Sequence, residues 1–174
     1  MTEMDWQRIK YFKRQEFKHP ELMKPELLYQ LDLQRAALGL PFILTSDARP
    51  EKENQEAGGV SNSLHISGEA VDVKCPQIHP LDFFLFSCKY LWTEIGLYEI
   101  GILHLGLSLN LNRKIKRFFG FQCPAASGGN HPPKDSCPLC KGIGKIYRPI
   151  TKDILVWYLQ DQPVKSKNEL LGIN

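Results

Sequence analysis

The sequence predicts an α+β fold: a small antiparallel sheet with packed helices, followed by a Cys-rich C-terminal extension. Three observations carry this reading. Leucines recur at near-helical spacing after Pro25. Short apolar runs of strand type lie at 42–46, 70–73 and 100–109. Composition then shifts to Cys, Pro and Gly after residue 120. A chain of 174 residues is long enough to bury a core without disulfide staples. It divides into a main domain over 1–120, a Cys-rich insert over 121–150, and a segment over 151–174 whose apolar start docks back before a polar tail.

The elements follow in order. Residues 4–18 carry Trp6, Ile9, Phe12 and Phe17 at irregular spacing, which suits a short helix or an extended lead-in. Pro25 opens a better helix, because proline fits a first turn and Leu27, Leu28, Leu31, Leu33, Ala36 and Leu38 recur behind it. Gly39 is its expected stop. Phe42 to Ser46 reads as a strand, and the polar stretch from Asp47 to Asn62 as a long loop. Ala70 to Val73 is a second strand. Leu81 to Leu91 is a buried helix, and Trp92 to Tyr98 crosses a turn at Gly96. Ile100 to Leu109 is a core strand.

Composition narrows the function classes. A formal charge of +3 favours an anionic polymer such as a cell-wall glycan only mildly, and makes nucleic acid the weakest partner class. The basic run Arg113-Lys114-Ile115-Lys116-Arg117 is local and reads as a solvated face or a charged contact. The opening residues lack the basic head and apolar stretch of a signal peptide, and no apolar run is long enough for a membrane span. Five cysteines, three of them clustered, favour a reducing compartment and a metal over a disulfide framework. Cys75 and Cys88 lie among apolar neighbours and read as core-compatible thiols.

The residues that carry chemistry are His65, Asp72 and His104. Neutral imidazole and carboxylate both suit zinc, and three protein ligands leave the fourth position for water, as a catalytic zinc requires. The small residues Gly68 and Ala70 let a tight turn bring a loop histidine beside a strand aspartate. Asp72 stands among Ala70, Val71 and Val73, where a carboxylate is expensive to bury unless it is paired or metal-bound. Arg49 follows a strand, and its fork of donors matches a carboxylate bidentately. The bland alternatives are a hydrogen-bonded core histidine and a surface arginine.

The run Ser63-x-His65-x-x-Gly68-x-Ala70-x-Asp72 resembles the M15 family of zinc D,D- and L,D-peptidases, and more narrowly its compact phage-type members acting on bacterial peptidoglycan. Thr45-Ser46-Asp47-Ala48-Arg49 is similar to the family's strand-plus-arginine motif, with Asp47 where glycine is common. Asn54 and Gly58-Gly59-Val60 precede the histidine motif, and Phe17, Leu27, Leu28, Leu31 and Arg35 match the usual lead-in. The likeness covers about residues 10–110. It implies a hedgehog/D,D-peptidase-like fold, catalytic Zn2+ on His65, Asp72 and His104, and substrate contacts from Arg49 and Ser63. It also implies a peptidoglycan peptide as substrate, phage structural proteins as possible partners, and a place in the host cytoplasm before release to the cell wall, or in a virion tail.

The chain departs from the family pattern beside the last ligand. Relatives usually place an acid shortly before that histidine, and many compact ones place another two positions after it. Here Gly101 and Gly106 stand at those places. Glu99 is the nearest candidate for the general base that takes a proton from bound water, with Glu94 a more distant second. The Cys-rich segment carries a separate signal. Cys137-Pro138-Leu139-Cys140 followed by glycine is a metal knuckle, and Cys123 and His131 complete a Cys3His structural Zn2+ site by count. It is similar to zinc ribbons and to the cysteine-rich region of DnaJ-type chaperones. Such an insert has no core of its own, so metal binding supplies its folding energy.

Two function classes therefore stand in front. One is a zinc peptidase. The other is a phage tail or baseplate docking protein that keeps the peptidase-like fold with weak or no activity. Retention of the ligands and Arg49 favours the first, and Gly101 and Gly106 favour the second.

Overall fold

In a computed structural model, residues 3–98, 101–110, 112, 114–122 and 145–149 are described. Glu99, Cys123, His131, Cys137 and Cys140 lie outside these residues, as does the segment over 151–174. The chain is α+β. Helix α1 (Glu3–Gln7) and a 3-10 turn (Arg14–Glu16) lead into α2 (Pro25–Leu38). Then follow β1 (Ile43–Ser46), α3 (Glu51–Glu56), β2 (Ala70–Lys74), α4 (Pro80–Ser87), β3 (Glu94–Tyr98), β4 (Leu103–Gly106), β5 (Lys116–Gln122) and β6 (Lys145–Pro149).

The strands form one sheet in the order β1-β2-β4-β3-β5-β6. It is mixed rather than antiparallel, because β5 runs parallel to β3. The centre matters most for function. β2 and β4 pair antiparallel with Asp72 directly opposite His104, and β3 and β4 pair with Gly96 opposite His104. β6 pairs with β5, so residues 145–149 belong to the sheet although they fall within the segment read as the Cys-rich insert.

Helix α2 starts and stops where the sequence predicts. Pro25 occupies its first turn, and Gly39 closes it in a left-handed conformation (φ 68°) with its N–H donating to the Arg35 carbonyl. Leu27, Leu28 and Leu31 are fully buried, while Leu33 faces solvent. Asp32 lies on the same buried side. Its carboxylate accepts from the N–H groups of Lys10, Tyr11 and Phe12, which ties the lead-in to the helix. Phe12 and Phe42 then carry the aromatic core to Phe83 of α4. Gln34 links α2 to the end of α4 and the approach to β3 by donating to Ser87 and accepting from the Trp92 indole.

Four readings change. The polar stretch 47–62 contains α3, which shows no apolar period because Asn54 is its one buried residue. The apolar helix expected over 81–91 stops at Ser87, and Leu91 is 81% exposed. Gly96 is no turn: β3 runs straight through it. A Cβ at Gly96 would lie 2.3 Å from the Phe118 ring, so the glycine admits that side chain over the sheet. Cys75 is buried as expected, but Cys88 is exposed. No helix among the described residues is long and apolar enough to cross a membrane.

The loop before β2 is fixed by a second glycine. Gly68 has φ +71°, and a Cβ there would lie 1.9 Å from the Leu22 carbonyl oxygen. The Lys24 N–H donates to the Gly68 carbonyl across the same contact. Gly68→Ala combines left-handed strain with a backbone clash, and should destabilise the fold by roughly 2–4 kcal/mol in urea denaturation.

Candidate metal centre

His65 stands in the turns that lead from α3 to β2. Its backbone is pinned at both ends of the loop. The Arg49 N–H donates to the His65 carbonyl, and the Glu69 N–H donates to the Leu64 carbonyl. Asp72 lies at the centre of β2 and His104 on β4, where the cross-strand register sets them face to face. All three side chains are buried.

They converge on one point. His65 Nε2 lies 3.3 Å from Asp72 Oδ1 and 3.2 Å from His104 Nδ1, and His104 Nδ1 lies 3.0 Å from the same Asp72 oxygen. Ligand atoms about 2.0–2.1 Å from a tetrahedral zinc stand roughly 3.3 Å from one another. The triangle thus has the size of one face of a zinc tetrahedron. Among the described residues these are the groups that can hold a metal ion, and the donor set of two imidazoles and one carboxylate fits zinc.

The outer atoms of the triad have partners as well. His65 Nδ1 lies 2.7 Å from the Asp47 carbonyl oxygen, so Nδ1 carries a proton and Nε2 is the nitrogen turned toward Asp72 and His104. The Arg49 guanidinium donates to Asp72 Oδ2 at 3.3 Å. His104 Nε2 has the Glu94 carboxylate 3.7 Å away. The Asp47 carboxylate in turn accepts from the Lys18 and His19 N–H groups, which anchors the lead-in behind the site.

Electrostatics follow from this packing. Burial on its own would raise the Asp72 carboxyl, but the charge of His65 and the hydrogen bonds from both histidines hold it well below the usual carboxylate range. Burial likewise opposes a charge on His104, yet the Asp72 and Glu94 carboxylates outweigh it and raise the imidazole to about 9. A metal ion held on Nδ1 would take the place of that proton as the positive charge facing Asp72.

The triad opens into a cleft of about 590 Å³, within the range of small-ligand sites. Arg49, Ser63 and Glu94 line it with the three ligands, and Asn54, Val60, Tyr98 and Phe118 form further wall. A shallower depression lies beside Thr45, Ser46, Glu53 and Glu56 and shares Arg49 and Asp72 with the cleft. The structure therefore brings together five of the residues singled out from sequence: Arg49, Ser63, His65, Asp72 and His104. Glu94, the more distant acid from sequence, also lines the cleft. Its signal is the pairing of Glu94 with Gly106, which depends on strand register.

The basic run is a charged contact in part. Lys116 Nζ lies 3.0 Å from Glu94 Oε1, and the Arg117 guanidinium donates to the Trp92 carbonyl. Lys114 is exposed.

A search among curated proteins finds no match. The family model for peptidase M15 matches residues 4–104, more than half of the 174, and the match ends on the last residue of the triad. The chain belongs to the peptidase M15 family.

Proposed function

We propose that this protein is a zinc metallopeptidase that hydrolyses an amide bond in bacterial peptidoglycan peptides, acting as an endolysin-like or virion-associated protein. The observation that carries the zinc reading is the ligand triangle, with sides of 3.0–3.3 Å, at the base of an open cleft. Family membership supports a peptide substrate. The peptidoglycan assignment rests on the narrower motif resemblance.

Zinc bound there supplies Lewis-acid polarisation of the scissile carbonyl and a water of lowered pKa. The chain's residues do the rest. Asp47 and Arg49 fix the outer atoms of His65 and Asp72 and keep the donor atoms aimed inward. Arg49 keeps further donors for a substrate carboxylate or peptide oxygen, and its Nε is buried without a hydrogen-bond partner. Ser63 offers a hydroxyl on the same wall. Glu99 takes the proton from water and returns it to the leaving amine. It follows Tyr98, which lines the cleft. The Cys123, His131, Cys137 and Cys140 set holds a second, structural zinc.

Metal removal tests the centre apart from catalysis. Zinc at a hundredfold excess over its Kd should raise the thermal midpoint of chelator-stripped protein by roughly 5–10 °C. His65→Ala and His104→Ala should abolish the part of the rise due to the triad. Cys137→Ser should lower bound zinc by one ion while the triad keeps its own.

Activity is tested by peptide release from purified peptidoglycan with metal-quantified protein. Wild type should release peptides, and His65→Ala and Glu99→Gln should not. Arg49→Lys should lower kcat/KM by roughly 10- to 100-fold, the equivalent of one charge-assisted hydrogen bond. No release by zinc-loaded wild type across several wall types would replace this reading with the phage docking protein.

A further inference from the structure

The cleft holds one more buried carboxylate than the three ligands account for. Glu94 opens β3, is 7% exposed, and pairs across the sheet with Gly106 of β4. Residues two apart on a strand share a face, so position 106 lies on the face of His104, and Glu94, its cross-strand partner, lies there too. A Cβ on Gly106 would come 2.6 Å from Leu64 Cδ1, 3.3 Å from the Glu94 Cβ and 3.4 Å from His104 Nε2. The space beside His104 that a side chain at 106 would take is thus shared by Leu64 from the preceding loop and Glu94 from the neighbouring strand.

Both oxygens of Glu94 are directed. Oε2 lies 3.7 Å from His104 Nε2, the ring nitrogen on the far side from the metal-facing Nδ1. Oε1 lies 3.0 Å from Lys116 Nζ, contributed by β5 in register with Glu94. A cation on one oxygen leaves the other facing the imidazole. A histidine that binds metal through one nitrogen commonly gives its other N–H to a carboxylate, which sets the tautomer and raises the basicity of the ligand. His65 has the Asp47 carbonyl for this purpose.

We propose that Glu94 is the positioning carboxylate of the metal centre: it faces His104 Nε2–H at ion-pair distance, holds the Nδ1 lone pair toward the metal, and does from β3 what no side chain at Gly106 does. Lys116 orients it. The proposal rests on the zinc reading above and deepens it. It assigns Glu94 a role through His104 and leaves the proton transfer to another group.

The test is the zinc dissociation constant, read by chelator competition on the full chain at fixed pH, for wild type, Glu94→Gln and the exchange variant Glu94→Gly/Gly106→Asp. Circular dichroism confirms that each is folded. Glu94→Gln should weaken zinc by about 10- to 100-fold. The exchange variant returns a carboxylate to the same side of His104 and should recover most of that loss. The visible spectrum of the cobalt-loaded protein should shift in Glu94→Gln and return toward wild type in the exchange. Folded Glu94→Gln with wild-type zinc affinity overturns the proposal. So does an exchange variant as weak as Glu94→Gln when made together with Leu64→Ala, which removes the Leu64 Cδ1 that a Cβ at 106 would meet at 2.6 Å. Wild type that binds no zinc would instead overturn the metal reading itself.

Discussion

The structure is organised around a buried negative charge. Asp72 lies in the middle of β2 between Val71 and Val73, both fully buried. A lone carboxylate there would neutralise or disrupt the sheet, because removing it from water costs several kcal/mol. Three cationic or proton-bearing groups offset that cost: His65 from the preceding loop, His104 from the adjacent strand, and Arg49 from the end of β1. Each needs a separate structural device. His65 needs the Gly68 turn pressed against Leu22, His104 needs the β2–β4 register, and Arg49 needs the backbone bond to the His65 carbonyl. The conditions that make Asp72 tolerable are the conditions that assemble a metal site.

Much of this was legible in the sequence, for local reasons. His65, Gly68 and Asp72 fall within one short run, so a turn followed by a strand places them without knowledge of the rest of the fold. His104 was legible through the family resemblance, since a lone core histidine reads first as a hydrogen-bonded residue. The helix of Pro25–Leu38 was legible because its punctuation and its buried leucines agree. Other features depend on packing. Helix α3 carries no apolar stripe and buries only Asn54, so its polar sequence reads as a loop. Gly96 reads as a turn because glycine serves both turns and close approaches, and only the position of Phe118 distinguishes them. Leu91 belongs to an apolar run, yet the run outlasts the helix that buries its start.

Glu94 shows the same limit at the site. From sequence, Glu94 stands only as a distant acid, because its place beside His104 depends on strand register rather than on distance along the chain. Glu94 is ten residues from His104 but opposite Gly106, with its carboxylate beside the histidine ring. An acid missing from one strand need not mean a missing charge, since the neighbouring strand can supply it wherever a glycine leaves room. The argument from Gly106 toward a docking protein is correspondingly weaker.

The partners of the ligands come from outside the ligand strand pair. The Asp47 carbonyl belongs to the segment after β1, Arg49 to the approach to α3, and Glu94 to β3. Asp47 also holds the N–H groups of Lys18 and His19 through its carboxylate, so the lead-in is fastened to the residue whose carbonyl meets His65 Nδ1. The donor atoms are therefore preorganised by contacts that do not need the ion. Contacts of this kind would leave less of an ion's binding energy to be spent on ordering the loop. With three ligands placed by the fold, a zinc ion bound there would keep its fourth position for water or a substrate oxygen.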